Sequence, residues 1–255
     1  MLSPGARIGV VAPSGRFDKA RLEAGIAVLR GFGYEPVFGR HLHCAHRYLA
    51  GTDAQRLADL QWGLCSPELD AVWAARGGYG ITRLLDRLDW SAVRNPAIGF
   101  SDVTALLVAS WQRRGISGVH GPVLHNLAEV SEGSRERLAE VLAGGRAERL
   151  VGGNLCVLAD LCGTGDQLDA SGQVLVLEDL AEPVYKLDRM LTRLRRAGVF
   201  EGVVEVRLGQ FLRCPAPDGV VVAEVIREGI PSAIPVLEDQ PIGHGEDNHA
   251  FRYGR

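Results

Sequence analysis

The sequence lacks the long apolar runs of membrane proteins and the strong positive charge of nucleic-acid-binding proteins. No apolar run approaches the roughly 20 residues that a membrane helix needs, and residues 1–10 lack the apolar core of a signal peptide. The 255 residues have a formal net charge of −3, which does not attract nucleic acid or an anionic membrane surface in bulk. We therefore expect a cytoplasmic protein that binds neither nucleic acid nor membrane.

Cysteine and lysine are also scarce. The five cysteines are an odd number and form no Cys-x-x-Cys pair, which argues against a disulfide framework and against a cysteine-based zinc site. Two of the 28 basic residues are lysine, a bias that we attribute to genome composition rather than to function. Apolar residues make up 46% of the chain and charged residues 23%, as in ordinary globular proteins.

Short apolar strands alternate with helical segments through the first half of the chain. Strands are predicted at 7–13, 35–38, 71–74, 97–100 and around Val119, and helices at 19–32, 52–64, 81–88 and 102–113. This alternation is typical of βαβ units and of a parallel, Rossmann-like sheet, in which ligands bind at the carboxyl ends of the strands. The sharp strand ends of this half are Pro13, Arg76, Ser101 and His120.

The composition changes at residues 128–149, which are polar and helical. This segment is predicted to connect an α/β domain at 1–127 to a second domain at 150–255. The second domain is predicted to contain helices after Asn154 and at 183–196, and strands at 173–177, 203–208, 220–225 and 233–237. The predicted fold class is therefore α/β.

Ser101 lies where a predicted strand runs directly into a predicted helix, in the sequence GFSDV. Such a corner exposes the hydroxyl and directs the first helical amides, including that of Asp102, at whatever the serine attacks. The alternative is that Ser101 only caps the helix, because serine is a preferred N-cap residue. The motif is Gly-x-Ser-x-Val rather than the Gly-x-Ser-x-Gly of many hydrolases, so the local sequence leaves both interpretations open.

Three glycines follow the strand at 71–74 in the segment Arg76-Gly77-Gly78-Tyr79-Gly80. Glycines let backbone amides approach an anionic group closely, and the same residues also form an ordinary tight turn. The segment matches no Gly-x-Gly-x-x-Gly pattern and has no P-loop lysine, so no nucleotide cofactor is predicted.

A serine nucleophile needs a base and a carboxylate that orients it. His244 lies between two glycines, which favours a loop that presents its side chain, and His120 at a strand end is the rival base. Glu178 follows the apolar strand at 173–177, and its neighbour Asp179 is the rival carboxylate.

The histidine-rich run at 41–46 raises the question of a metal site. It contains three histidines and Cys44 within six residues, and such side chains can bind zinc. The spacing fits neither a helical His-x-x-x-His pair nor a zinc finger, and no carboxylate accompanies the run. We therefore predict a solvated loop and no metal.

Seven short blocks occur in the order that is found in one peptidase family. They are residues 8–14 (IGVVAPS), 48–60 (YLAGTD, then Arg56, Asp59 and Leu60), 76–89 (RGGYG, then RLL and LD), 99–106 (GFSDVTAL), 152–164 (GGNL, then Leu158, Leu161 and GT), 176–191 (VLED, then Glu182, Tyr185 and DRML) and 243–245 (GHG). Taken together, they resemble the LD-carboxypeptidase family, serine peptidases that include murein tetrapeptide carboxypeptidase and the microcin self-immunity hydrolase.

The resemblance implies a role for each matching residue. Ser101 is expected to be the nucleophile, His244 the general base, and Glu178 the carboxylate that orients the imidazole. The backbone amides of Gly78 and Asp102 are expected to form the oxyanion hole.

The resemblance also implies a smaller, mostly β second domain that carries Glu178 and His244, with the site in the cleft between the domains. The expected reaction is hydrolysis of the amide between an L-centre and the terminal D-alanine of murein tetrapeptide, in cell-wall recycling. It proceeds through an acyl-enzyme without metal or cofactor, and a homodimer is expected. Substrate contacts are expected from Arg76, which could hold a carboxylate, and from Gly77 and Tyr79.

The chain departs from the family pattern at its end. Only eleven residues follow His244, and 248–254 match the family loosely, so we expect weak support for the histidine segment. The segments before Gly152 and between 163 and 173 are short, and these regions often shape the substrate cleft.

Two alternatives remain open. One is a hydrolase of peptidyl or aminoacyl nucleotides, as in microcin immunity, which would need an aromatic platform in the cleft; Trp73, Trp90 and Trp111 instead have the pattern of packing residues. The other is a non-catalytic module that binds a small molecule. Hydrolysis that survives Ser101→Ala would exclude the serine mechanism.

Overall fold

The structure is a computed structural model that describes residues 2–254. Within this range, ten strands and eight α-helices follow one another, mostly in alternation. The strands are β1 (Arg7–Val11), β2 (Glu35–Phe38), β3 (Ala71–Ala74), β4 (Ala97–Gly99), β5 (Val119–His120), β6 (Arg149–Asn154), β7 (Val174–Leu180), β8 (Glu205–Leu212), β9 (Val236–Leu237) and β10 (Phe251–Tyr253). The helices are α1 (Lys19–Gly31), α2 (Asp53–Cys65), α3 (Val103–Arg114), α4 (Leu124–Leu127), α5 (Glu132–Ala143), α6 (Leu155–Leu161), α7 (Val184–Arg196) and α8 (Val222–Gly229).

The strands of residues 2–254 form one sheet in the order β2-β1-β3-β4-β5-β10-β6-β7-β8-β9. Strands β1 to β5 are parallel to one another, and so are β6 to β9. The last strand joins the two groups, because β10 pairs antiparallel with β5 and parallel with β6. This large, mostly parallel sheet with its helices confirms the predicted α/β class.

The second half differs from the sequence expectation in detail. From Arg149 onwards helices alternate with strands, so this half is itself α/β rather than mostly β. The segment predicted as a strand at 220–225 begins α8 instead, because Ile226 and Gly229 bury one face of a helix there and the valine-rich start gave a misleading strand signal. The helix predicted at 81–88 is reduced to a single 3₁₀ turn at Leu85–Arg87.

One apolar core runs through both halves of the chain. Apolar side chains of α3, including Val103 and Leu106, share a buried cluster with Leu155 of α6 and Leu177 of β7. The segment predicted as a connection, 128–149, contains α5, whose buried apolar face packs in a second cluster with residues of the first half. The predicted domain boundaries remain a prediction. Within residues 2–254, no helix combines the length and the apolar character needed to cross a membrane.

A buried arginine fixes the loops that surround the carboxyl ends of β1 and β3. Helix α2 begins with a capping box between Thr52 and Gln55 and buries Arg56, which is 1% exposed. The guanidinium of Arg56 donates to the carbonyl oxygens of Pro13 and of Gly80, the latter at 3.0 Å. The glycine-rich segment is therefore held against the end of β1 by a charge-assisted contact rather than left as a free turn.

Candidate active site

Ser101 lies at a sharp corner between β4 and α3. Its φ of +62° is in the left-handed region, which costs a non-glycine residue about 1–3 kcal/mol and is often found at functional corners. The corner is tight, since a Cβ placed on Gly77 would lie 3.1 Å from Ser101 Oγ. Asp102 is the N-cap residue of α3, and no side chain caps this helix, so among the described residues the Ser101 hydroxyl is not used as a cap. The half-buried hydroxyl is left available for chemistry.

His244 and Glu178 form a hydrogen-bonded pair. His244 Nδ1 lies 2.7 Å from Glu178 Oε2, and the side chains are 14% and 0% exposed. Burial alone would lower the pKa of His244, but the hydrogen bond and the negative charge of Glu178 outweigh it, so the pKa of His244 is raised. The pair fixes the ring so that Nε2 is the nitrogen that remains free to accept a proton.

A bulge in β8 lies opposite Glu178 of β7. Leu177 pairs with Leu208 and Asp179 pairs with Phe211, so two residues of β8, Gly209 and Gln210, stand opposite the single residue Glu178. Bulges commonly turn one side chain towards a site. Asp179, the rival carboxylate, accepts hydrogen bonds from the Cys156 amide at 2.9 Å and from Asn154 Nδ2 at 3.1 Å. Asp179 therefore supports the start of α6, and Glu178 is the partner of the imidazole.

The loop that carries His244 is held by β8 and by a buried asparagine. Gln210 Oε1 accepts a hydrogen bond from the Gly245 amide at 2.7 Å. Asn248, which is 1% exposed, accepts from the Gly243 amide at 3.3 Å and donates its own amide to Ser134 Oγ at 2.9 Å. These contacts give the histidine segment more support than its loose match to the family led us to expect.

Phe100 connects the imidazole to the serine corner. The ring centroids of His244 and Phe100 are 4.7 Å apart, and Phe100 directly precedes Ser101. Ser101 and His244 line the same two cavities. Among the described residues Ser101 Oγ forms no hydrogen bond, so contact with Nε2 requires a side-chain adjustment of the kind common between free and substrate-bound enzymes.

His120, the rival base, is unsuited to that role. It is 0% exposed, its ring stacks on Phe251 with centroids 4.5 Å apart, and neither ring nitrogen has a hydrogen-bond partner among the described residues. Burial, together with the charge of His244, lowers the pKa of His120 to about 3. His120 is therefore a neutral core residue beneath the site.

The predicted oxyanion amides face the same region. The amides of Gly78 and Asp102 donate to no other group of residues 2–254, and both residues line a cavity with Ser101. The Asp102 carboxylate, 2% exposed, accepts from Ser14 Oγ at 2.6 Å and from the Ile81 amide at 3.0 Å. Burial raises the pKa of Asp102 to about 6 despite these hydrogen bonds. Only the backbone of Asp102 was predicted to take part in the site; its side chain, which no motif indicated, ties the glycine-rich segment to the serine corner.

Two cavities meet at Ser101 and His244. The larger, about 430 Å³, is lined by Arg76 and Gly77, two of the predicted substrate contacts, and also by Arg21 and Arg213. The smaller, about 320 Å³, is lined by Tyr79, Asp160 and Glu182, among others. Tyr79 is 45% exposed, and its ring lies 6.4 Å from that of Tyr48. Arg213 belongs to no motif, so no sequence signal indicated it.

The histidine-rich run takes part in local packing. His41 Nδ1 lies 2.8 Å from Asp59 Oδ1, and the ring of His43 packs on Phe17 with centroids 5.9 Å apart. Within residues 2–254, no group of three or more histidine, cysteine or acidic side chains is arranged to hold a metal ion.

Comparisons with known proteins agree with this architecture. Two family models match the chain: LD-carboxypeptidase N-terminal domain over residues 8–121 and LD-carboxypeptidase C-terminal domain over residues 148–255. The chain is 36% identical over 281 residues to the murein tetrapeptide carboxypeptidase of Pseudomonas aeruginosa, an alignment that covers 98% of this chain and 91% of that protein.

Solved structures show the same fold. A muramoyltetrapeptide carboxypeptidase from Oxalobacter formigenes is similar with a TM-score of 0.84 and 26% identity, covering 98% of this chain and 93% of that one. The wild-type apo form of the microcin C7 self-immunity protein has a TM-score of 0.89 at 21% identity, covering 99% and 92% of the two chains. The second likeness concerns the fold alone.

The matching family models and the carboxypeptidase relative define the chain as a peptidase. More narrowly, it belongs to the LD-carboxypeptidase family, as the order of the seven sequence blocks had indicated.

Proposed function

We propose that this protein is a serine LD-carboxypeptidase that removes the terminal D-alanine from murein tetrapeptide during cell-wall recycling. The observation that carries the proposal is the 2.7 Å contact between His244 Nδ1 and Glu178 Oε2, with the same imidazole lining both cavities that Ser101 lines. The 36% identical murein tetrapeptide carboxypeptidase supports the choice of substrate.

In the proposed acylation step, Ser101 Oγ attacks the carbonyl carbon of the L-centre. His244 Nε2 takes the hydroxyl proton, and Glu178 stabilises the resulting imidazolium through Nδ1–H. The amides of Gly78 and Asp102 stabilise the oxyanion of the tetrahedral intermediate. The imidazolium then gives its proton to the amine of D-alanine, which leaves.

Deacylation repeats these steps with water as the nucleophile. His244 takes a proton from water, the hydroxide attacks the ester carbonyl at Ser101, and collapse of the intermediate releases the tripeptide and returns the proton to Ser101. Each proton transfer uses the one imidazole held by Glu178, and the proposed reaction uses no cofactor.

Mass spectrometry of murein tri- and tetrapeptide incubated with the protein tests the proposal. We expect the tetrapeptide alone to lose one D-alanine, and Ser101→Ala to reduce turnover about 10⁴-fold or more. Ser171→Ala, at an exposed turn position outside both cavities, is the matched control and should be fully active. A Ser101→Ala variant that keeps its activity would exclude the proposed nucleophile, and binding of peptide without any turnover would favour a binding module.

The alternative nucleotide-directed activity has less support. Trp73 is 0% exposed and donates Nε1 to the Pro122 carbonyl at 2.9 Å. Trp90 and Trp111 pack against the main apolar core. None of these tryptophans lines the two cavities at Ser101, so they supply no platform for a nucleobase there.

The proposal includes a homodimer in the cytoplasm. Light scattering at several protein concentrations tests the assembly, since a dimer should keep twice the mass of 27.5 kDa on dilution. Fractionation of cells tests the location.

A further inference from the structure

Among residues 2–254, two arginines at the larger cavity have no carboxylate partner. Arg76 follows β3 and Arg213 follows β8, so the two halves of the chain each contribute one guanidinium. Arg76 donates only to the carbonyl oxygen of Arg16, and Arg213 has neither ion pair nor hydrogen bond among the described residues. The third arginine of this cavity, Arg21, is paired with Glu129.

The backbone holds Arg213 in a conformation that serves no evident packing purpose. Its φ is +54°, in the left-handed region, and its side chain is exposed at the cavity. Strain of this kind persists where the surrounding structure imposes it, and it is concentrated at functional positions. The preceding residue is fixed, because the Ala181 amide donates to the Leu212 carbonyl oxygen at 2.8 Å. The strain therefore sets the direction in which Arg213 leaves the end of β8.

The smaller cavity has the opposite electrostatic character. It is lined by Asp160 and Glu182, and Lys186 lies 3.3 Å from Glu182 outside the cavity lining. A substrate carboxylate would be repelled there and attracted to the arginines on the other side of Ser101. The two cavities that Ser101 lines thus differ in charge.

We propose that Arg213 and Arg76 bind the terminal carboxylate of the leaving D-residue, and thereby restrict the enzyme to the last amide of its substrate. The inference rests on the proposed function and adds the recognition element that makes the peptidase a carboxypeptidase. Guanidinium groups bind carboxylates through paired, charge-assisted hydrogen bonds, which fixes the orientation of the leaving residue as well as its presence.

The proposal predicts how the enzyme discriminates among three forms of one substrate. They are murein tetrapeptide with meso-diaminopimelate, the same peptide with its terminal carboxylate converted to an amide, and the peptide with its side-chain carboxylate amidated instead. The terminal amide should lower kcat/KM about ten- to a hundredfold, the range of a lost hydrogen bond to a charged group. The side-chain amide should have little effect.

Variants of Arg213 assign the effect to the residue. Arg213→Met should lower kcat/KM for the parent peptide by the same factor, chiefly by raising KM. For the peptide with the terminal amide, it should change kcat/KM little. Arg213→Lys should restore part of the loss. Arg195→Met, at an exposed position on α7, is the matched control. Because the positive charge of Arg213 lowers the pKa of His244, its removal should also move the acid limb of kcat/KM to higher pH.

Each contrary result has a defined meaning. A terminal amide that reacts as fast as the parent peptide, or an equal loss by Arg213→Met on both substrates, would overturn the proposal. A loss confined to the side-chain amide would assign the arginines to the other carboxylate and would also overturn it. Calorimetry with the Ser101→Ala variant measures the affinity for each of the three peptides without turnover. A failure of the proposed hydrolysis can therefore be distinguished from a failure of carboxylate binding.

Discussion

At the scale of single residues, the proposed chemistry depends on a fully buried carboxylate. Glu178 is 0% exposed, and one of its oxygens lies 2.7 Å from His244 Nδ1. The other oxygen, Oε1, has no hydrogen-bond partner among the described residues. An uncompensated buried oxygen is costly for folding, which is consistent with a residue kept for its effect on the imidazole rather than for stability.

Glu178→Gln should reduce kcat about 10²- to 10⁴-fold, because a neutral amide cannot stabilise the imidazolium that forms during proton transfer. The pKa of His244 should fall, since the hydrogen bond and charge of Glu178 are what raise it. NMR titration of the imidazole in the Ser101→Ala background measures that shift. Asp179→Asn is the matched control, and it should weaken the start of α6 while leaving the His244 pKa nearer to the wild-type value. An unchanged titration in Glu178→Gln would contradict the assignment.

The buried Asp102 carboxylate should make stability depend on pH. Burial raises its pKa from 3.8 to about 6, so the folded protein binds this proton more tightly than the unfolded chain. The stabilising contribution is therefore present below about pH 4 and is lost as the pH rises through 6, at most about 3 kcal/mol. Asp102→Asn should flatten this part of the pH profile of the free energy of unfolding, measured with urea. Identical profiles for variant and wild type would show that Asp102 titrates as an ordinary carboxyl.

At the scale of secondary-structure elements, the sequence predicts a strand correctly where its own apolar pattern determines the backbone, as in β3, and misses a strand that tertiary packing determines, as in β6. The sequence predicts β3 at the residues where it occurs, because the run AVWA is apolar and ends at Arg76 and two glycines. It misses β6, since Gly152 and Gly153 suggest a loop before a helix; the structure has strand backbone there with positive φ at both glycines. Tertiary packing decides this element, because a Cβ on Gly153 would lie 2.7 Å from Thr104 Oγ1 of α3.

For the candidate site, the sequence predicts the residues but not the backbone geometry that positions them. Ser101, Glu178 and His244 each belong to a block that resembles the family. In the structure Ser101 and His244 line the same two cavities, and the buried Glu178 contacts His244. The bulge of β8 opposite Glu178 and the positive φ of Arg213, just after β8, leave no periodic signal in the sequence.

The close approach of β8 to the histidine loop predicts the effect of one added methyl group. A Cβ on Gly209 would collide with the carbonyl oxygen of Ile242 and would lie 3.1 Å from the Glu178 Cβ. Gly209→Ala should therefore displace the segment that carries His244 and lower kcat about a hundredfold, the effect of a misplacement of about 1 Å. Gly165→Ala, where an added Cβ meets nothing within 4 Å, should leave kcat unchanged. Full activity of Gly209→Ala would show that the loop tolerates the shift.

At the scale of the whole molecule, the last strand joins the two halves. Strand β10 lies between β5 and β6, and its Phe251 stacks on His120 beneath the site. The sequence predicts weak support at this end, because residues 248–254 match the family loosely. A strand of three residues is too short to show a recognisable pattern. Its position depends on pairing with residues 119–120 and 149–150, more than a hundred positions away.

Tyr253→Phe tests whether this joint stabilises the entire protein. Tyr253 is 0% exposed, and its hydroxyl accepts a hydrogen bond from the Gly152 amide at 3.0 Å. Removal of the hydroxyl leaves that buried amide without its partner, so the free energy of unfolding should fall by about 1–3 kcal/mol. Because the apolar core is shared by both halves, the loss should appear in one cooperative urea transition. Tyr34→Phe is the matched control, since the Tyr34 hydroxyl bonds to no other described residue. It should change the free energy of unfolding by less than about 0.5 kcal/mol. Two separate transitions, with only the later half weakened, would instead mean that the halves fold independently and that β10 merely docks them together.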